Sequence, residues 1–267
     1  MLEDKKLFLL DIDGTIAIDG ILIDGTKNFM NYVLDIGGKY IFITNNSTKS
    51  IKDYVEQFIG LGIKVDETNF ITASYATTLY LQEHYKEKKI FVVGTKSFIE
   101  ELKSFNINTT EDLEEDIQCA VVAYDNELTY KKIEKICELL STKKNIDYIA
   151  TNPDLVCPTK FGFVPDCGAI CKMIKLAVNR EPIFIGKPNK IIGDLCIKKS
   201  EFTKEETLVI GDRLYTDIAC GINSNIDTAL VLTGEAKKED IETTIFKPEY
   251  IFKNIKELYE KIINIIW

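Results

Sequence analysis

Leu7-Phe8-Leu9-Leu10-Asp11-Ile12-Asp13-Gly14-Thr15 is the stretch that decides how this chain is read. The short, continuous apolar run Leu7–Ile12 predicts a strand buried on both faces, as in a parallel sheet. It delivers two acids and then a glycine, which permits a sharp exit. In open α/β sheets, ligands bind outside the carboxyl ends of the strands, so the acids lie where a site belongs. Strand alternation gives Asp11 and Asp13 the same facing. Two carboxylates that close repel one another, and a hard dication is the simplest remedy. An isolated Asp-x-Asp would read equally well as a solvated strand end; the apolar strand running into Asp-x-Asp-Gly-Thr is far more specific.

Outward from this run, short apolar segments alternate with helix-length amphipathic ones, the pattern of an α/β protein built on a parallel sheet. Tyr40–Thr44, Pro182–Ile185, Thr207–Ile210 and Thr228–Leu232 read as further strands. Thr26–Ile36 has helical spacing and stops at Gly37-Gly38, and helical patterns follow at Thr48–Ile59 and Ala73–His84. Ile16–Ile23 alternates around Asp19-Gly20, a hairpin signal, so residues 16–25 predict a flap over whatever Asp11–Thr15 bind. Between Lys89 and Arg180 the chain has its own strands (Ile90–Val93, Cys119–Ala123, Tyr148–Thr151) and helices near Lys96–Phe105 and Tyr130–Leu140. The acidic stretch Thr109–Asp116 reads as a connection among them. The expected organisation is a discontinuous core, residues 1–88 and 181–267, with an α/β domain, residues 89–180, inserted into it.

Three more strand ends carry polar groups. Thr44-Asn45-Asn46-Ser47 brings a hydroxyl and two amides to the sheet edge, with a helix predicted to begin at Ser47 or Thr48. Such groups bind phosphate oxygens, and the same residues are also ordinary helix caps. Ile185-Gly186-Lys187-Pro188 offers a single cation, placed either to neutralise Asp11 and a phosphate or as an exposed loop lysine. In Val209-Ile210-Gly211-Asp212-Arg213-Leu214-Tyr215-Thr216-Asp217, Asp212 sits where it could complete an oxygen shell around magnesium. Asp217, in the first turns of the next helix, either orients the site from behind or favours that helix N-terminus.

Composition sets the outer bounds. The 267 residues carry a formal net charge of -9, from 42 Asp+Glu against 33 Lys+Arg. That balance argues against nucleic acid and anionic membranes as partners and leaves a small phosphorylated substrate open. The opening MLEDKKLFLL has too short an apolar run for a signal peptide, and no stretch reaches membrane-spanning length. Seven scattered cysteines read as reduced thiols of a cytoplasmic protein; Cys167 and Cys171, four apart, have no further Cys/His pair to complete a zinc site. His84 is the sole histidine and lies at the polar end of a helix, so acid–base work falls to carboxylates.

The four segments resemble, in order and spacing, the four motifs of the haloacid dehalogenase superfamily and its phosphatase majority. The insertion between the second and third motifs resembles the NagD-like branch (subfamily IIA), which includes 4-nitrophenylphosphatases. Thr151-Asn152-Pro153-Asp154 and Val164-Pro165-Asp166-Cys167-Gly168 resemble landmarks of that branch's cap, which commonly has Pro-Gly where this chain has Pro165-Asp166. The resemblance implies a Rossmann-like core with an inserted α/β cap, and a magnesium-dependent phosphomonoesterase acting on a small metabolite. It implies Asp11 as nucleophile forming an aspartyl-phosphate, and Asp13 as general acid and base. Mg2+ would be held by the carboxylates of Asp11 and Asp212 and the Asp13 carbonyl, with Asp217 supporting from behind. Thr44, Asn45, Asn46 and Lys187 would bind phosphate, and the resemblance leaves room for a homodimer through the cap. The competing readings are a phosphotransferase or phosphomutase of the same superfamily, and a non-enzyme: a phospho-aspartate receiver or a phosphate-binding protein. Phosphomutases of the superfamily usually carry a smaller helical cap after the first motif, and a receiver has no use for Asp13.

Overall fold

The computed structural model describes residues 1–159 and 161–266. The chain divides into two compact units: Met1–Thr44, Lys52–Ile71 and Lys187–Trp267 form the first, Asn45–Ile51 and Thr72–Gly186 the second.

The first unit is built on a six-stranded sheet in the order Tyr250–Phe252, Asp227–Val231, Thr207–Gly211, Leu7–Leu10, Lys39–Thr44, Phe70–Thr72. The pairings from Tyr250–Phe252 through Lys39–Thr44 are parallel. Leu7, Phe8, Leu9 and Leu10 have no exposed surface, which is why their run is apolar without alternation. Phe8 meets Phe29 of the helix Thr26–Asp35 edge to face at 5.1 Å. Phe42, Phe58 and Phe70 close the other side of the core, with ring centroids 4.5–5.4 Å apart.

The order places Leu7–Leu10 at a switch point: the chain continues to Lys39–Thr44 on one side and returns as Thr207–Gly211 on the other. Such a point is where a parallel sheet opens a crevice at its carboxyl edge. The ladder stops at Leu10, two residues before the expected end, as Asp11 begins the turn into Gly14 at φ +93°. The hairpin forms as Ala17–Ile18 paired antiparallel with Ile21–Leu22. Asp19 and Gly20 have φ of 51° and 75°, the left-handed pair that a two-residue hairpin turn requires.

The second unit has a five-stranded parallel sheet, Ile183–Phe184, Asp147–Ala150, Ile117–Val122, Lys89–Val93, Thr109–Thr110. The helices Lys96–Ser104, Tyr130–Thr142 and Cys167–Val178 begin at side-chain caps from Thr95, Thr129 and Asp166. Val156–Thr159 pairs with Gly162–Pro165 as a separate antiparallel ribbon.

The unit boundaries differ from 88/89 and 180/181. The helix Ala73–His84 groups with the second unit because Gln82 donates to the Phe105 carbonyl (2.9 Å) and Tyr75 meets the Phe105 ring at 5.7 Å. The following Tyr85 hydroxyl bonds Asp147 at 2.7 Å. At the other end, Ile183–Phe184 was expected to lead into Lys187 as a strand of the first sheet. It pairs instead with Ile149–Ala150, so the chain leaves the second unit only after Gly186.

A second correction concerns the helix after Thr44. It begins at Ile51, not at Ser47 or Thr48. The Asn46 side-chain oxygen accepts from the Thr48 amide (3.0 Å) and hydroxyl (2.7 Å), a local turn that competes with helix. All seven cysteines are free, and His84 is exposed, its ring 4.3 Å from that of Tyr80. Among the described residues no helix is long and apolar enough to cross a membrane.

Candidate active site

Register brings the site together. Leu10 pairs with Ile210 on one side and Phe42 on the other. One residue further, Asp11, Gly211 and Ile43 stand level at the carboxyl edge, and Asp212 and Thr44 follow. Lys187 reaches this edge from the start of the chain's return: its ammonium lies 2.6 Å from Asp11 Oδ1, 2.6 Å from Asp217 Oδ1, and donates to the Ile43 carbonyl at 3.0 Å. Lys187 is 2% exposed and Asp217 0%, so this is an ion-pair triad away from water.

Asp11, Asp212 and Asp217 each place a carboxylate oxygen within 4.8 Å of the others. Three acids and one lysine leave a surplus of buried negative charge. Its cost is visible in the acids themselves. Burial, then the charges of Asp11 and Asp217, push Asp212 well above the ordinary aspartate range. Burial and Asp11 raise Asp217 to about 6, against the pull of Lys187. Burial works against the Lys187 ammonium, but Asp11 and Asp217 outweigh it and hold its pKa above the usual lysine value. A hard divalent cation answers such a donor set.

The oxygens are not equally available to that cation. Asp217 has both engaged, Oδ1 by Lys187 and Oδ2 by the Arg213 amide at 3.0 Å. Asp212 gives Oδ2 to the Glu235 amide at 2.6 Å and turns Oδ1 toward the Thr15 hydroxyl at 3.4 Å. Thr15 also bonds Asp11 Oδ2, at 3.2 Å. The turn that sets Asp217 is π-helical, Leu214–Ile218, with the Ile218 amide bonded to the Arg213 carbonyl at 3.2 Å; single π turns are frequent at functional sites.

Close approach demands glycine around Asp212. A Cβ on Gly234 would lie 1.9 Å from Asp212 Oδ2, and one on Gly14 would lie 2.7 Å from the same atom.

The structure therefore joins Asp11, Lys187, Asp212 and Asp217. Asp13 is half-buried and bridges to Ala17; its carboxylate is outside the acidic triad, whereas that of Asp217 is within it. Thr44 is buried at the end of its strand. Asn45 and Asn46 belong to the second unit, where Asn45 donates to Asp154 Oδ2 at 2.6 Å and Asn46 caps the local turn.

Sequence reading passed over two contributors. Thr15 stands in the opening motif itself, and a hydroxyl just past the glycine was the signal. Thr233-Gly234-Glu235 follows the strand Asp227–Val231, a fifth polar strand end of the same kind. It also passed over the hydrogen bonds of the second unit's buried polar cluster. There Asn152 donates to both Asp154 (2.9 Å) and Asp166 (3.0 Å).

The chain is similar in sequence and in fold to known proteins. A family model described as haloacid dehalogenase-like hydrolase matches residues 8–108, and one described as HAD-hydrolase-like matches residues 184–258. The crystal structure of a 4-nitrophenylphosphatase from Thermotoga maritima is 35% identical, with a TM-score of 0.90 over 98% of each chain. NagD from Escherichia coli K-12 is 29% identical, with a TM-score of 0.85 over 95% of this chain and 98% of its own. An acid sugar phosphatase of Staphylococcus aureus is 30% identical over 256 residues, 96% of this chain and 97% of the relative.

Proposed function

The chain belongs to the haloacid dehalogenase superfamily, in its NagD-like branch, and is a phosphatase; from that premise we propose that it is a magnesium-dependent phosphomonoesterase working through an aspartyl-phosphate. The observation that carries the reading is Asp11, at the switch-point strand end, 2.6 Å from the Lys187 ammonium and grouped with Asp212.

Asp11 attacks phosphorus in line; the new carboxylate–phosphorus bond forms as the bond to the leaving oxygen breaks. Asp13 supplies the proton that oxygen needs. It then takes a proton from the water that attacks the aspartyl-phosphate, which releases phosphate and restores the Asp11 carboxylate. Lys187 and the Thr44 hydroxyl hold phosphoryl oxygens, and Asp217 keeps the Lys187 ammonium aimed at Asp11. The side chains of Asn45 and Asn46 are engaged within the second unit, so we keep Thr44 as the hydroxyl of that segment that meets phosphate. Asp11 and Asp212 have the oxygens to hold Mg2+, together with the Asp13 carbonyl. When bound, the cation shields the phosphate's charge from the nucleophile and stabilises the transition state.

The substrate class we infer is a small phosphorylated metabolite, with sugar phosphates first among them, from the relative named acid sugar phosphatase. The test is phosphate release across sugar phosphates, nucleoside monophosphates, phosphoglycolate, pyridoxal phosphate and 4-nitrophenyl phosphate, with Mg2+ and with chelator. Turnover with Mg2+ that stops on chelation is expected; no Mg2+-dependent release from any of them overturns the reading.

A further inference from the structure

Asp212 is steadied by a loop that has no catalytic group of its own. Thr233 donates its hydroxyl to the Gly14 carbonyl, the Glu235 amide donates to Asp212 Oδ2 at 2.6 Å, and the Ala236 amide donates to the Asp212 carbonyl at 3.1 Å. Gly234 lies flat against the same carboxylate, with no room for a Cβ. The loop carrying these amides is fastened from outside by one side chain. Glu235 Oε2 forms an ion pair with Arg213 Nε at 2.9 Å, close but not aligned as a hydrogen bond, and accepts from the Tyr215 hydroxyl at 3.3 Å. Arg213 in turn gives its own amide to Asp217 Oδ2 at 3.0 Å. One residue thus ties two acids: Asp217 by its main chain, and Asp212 through Glu235.

We propose that the Arg213–Glu235 clasp, with Tyr215, is a positioning device that sets the affinity of the site for its divalent cation by holding the 233–236 loop against Asp212. The proposal rests on the reading that Asp212 helps to hold Mg2+. A single, partly exposed ion pair adds little to stability by itself. Its consequence here is geometric, because an Asp212 that loses the Glu235 amide is free to turn away from Asp11. Partners that orient metal ligands from behind are commonly worth about 10–100-fold in affinity. The Glu235 side chain reaches Arg213 and Tyr215 and is not one of the clustered acids, so the expected loss falls on metal binding and not on the chemical step.

The experiment is calorimetric titration of the full chain with Mg2+, without substrate, for the wild type and for Asp212→Asn, Glu235→Ala, Arg213→Ala and the reversed pair Arg213→Glu/Glu235→Arg. Thermal unfolding of each variant, and kcat at saturating Mg2+, are measured alongside. The expected result is binding by the wild type and none by Asp212→Asn. Glu235→Ala and Arg213→Ala should each be weaker by about tenfold. Recovery is expected in the reversed pair, with kcat at saturating Mg2+ near the wild-type value in Glu235→Ala. Unchanged Mg2+ affinity in Glu235→Ala and Arg213→Ala, with Asp212→Asn still inactive in binding, overturns the clasp and leaves the metal site standing. A wild type that takes up no Mg2+, or an Asp212→Asn that binds as well as wild type, overturns the metal assignment and the clasp with it.

Discussion

The two units each bury a polar cluster, and the clusters are built on opposite principles. In the first unit, Asp11, Asp212 and Asp217 cluster within reach of one another, and Lys187 pairs with Asp11 and Asp217. In the second, Asn152 donates to both Asp154 and Asp166, Asn45 donates to Asp154, and Asp166 caps the helix Cys167–Val178. There the carboxylates are answered by N–H groups of the protein itself. On the proposed function, the first cluster carries the chemistry, while the hydrogen bonds of the second tie Asn45, Asn152 and the start of the helix Cys167–Val178 together. The difference is not burial, since both sets are nearly inaccessible, but what answers the carboxylates: a buried ammonium beside backbone amides in the first, neutral N–H donors in the second.

That contrast can be broken, and the largest effect tests it first. Asp11→Asn should lower Mg2+-dependent release of 4-nitrophenolate from 4-nitrophenyl phosphate by about four orders of magnitude or more, as loss of a covalent nucleophile does. Substantial residual turnover would mean that the acid does not attack phosphorus. Next comes Lys187→Met, which leaves Asp11 and Asp217 without their cation; urea unfolding in the absence of Mg2+ should show a loss of about 3–5 kcal/mol. A variant as stable as wild type would show that the acids are satisfied without the lysine.

Asp13→Asn sharpens the chemistry further. It should slow the first step, transfer of the phosphoryl group to Asp11, by about 100-fold for alkyl phosphates while leaving the pre-steady-state burst of 4-nitrophenolate near the wild-type rate, since that leaving group scarcely needs a proton. Equal losses on both substrates in that first step would remove Asp13 as the acid that protonates the leaving group. The smallest effect belongs to the second cluster. Asn152→Ala should cost about 1–3 kcal/mol in thermal or urea unfolding, the penalty of buried acceptors left without a donor. Its Mg2+ affinity should match wild type; a changed affinity would break the division between the two clusters.

Legibility in the sequence followed the range of the forces involved. Leu7–Leu10, Lys39–Thr44 and Thr207–Gly211 were readable because burial on both faces demands an unbroken apolar run, and the acids at their ends were readable because polarity there has no local excuse. The hairpin at Asp19-Gly20 was readable from turn chemistry alone. The helix start at Ile51 was not, because the Asn46 side chain competes for the Thr48 amide and delays it. Nor was the sheet to which Ile183–Phe184 belongs, since a two-residue strand carries no mark of its partner.

By itself, then, the sequence determined the groups on offer: an acid, a second acid two residues on, a lone lysine and a distant acid pair, each at or just past the end of an apolar run. Only the tertiary structure decided how they are used. Sheet register set Asp11 level with Ile43 and Gly211, which let one ammonium reach Asp11, Asp217 and a carbonyl at once. It put the Thr15 hydroxyl between two acids 201 positions apart in the chain (212 − 11), and laid Gly234 against Asp212. Contacts at that separation are fixed by which strands pair and in what register, a property of the packed sheet that no local pattern of residues encodes.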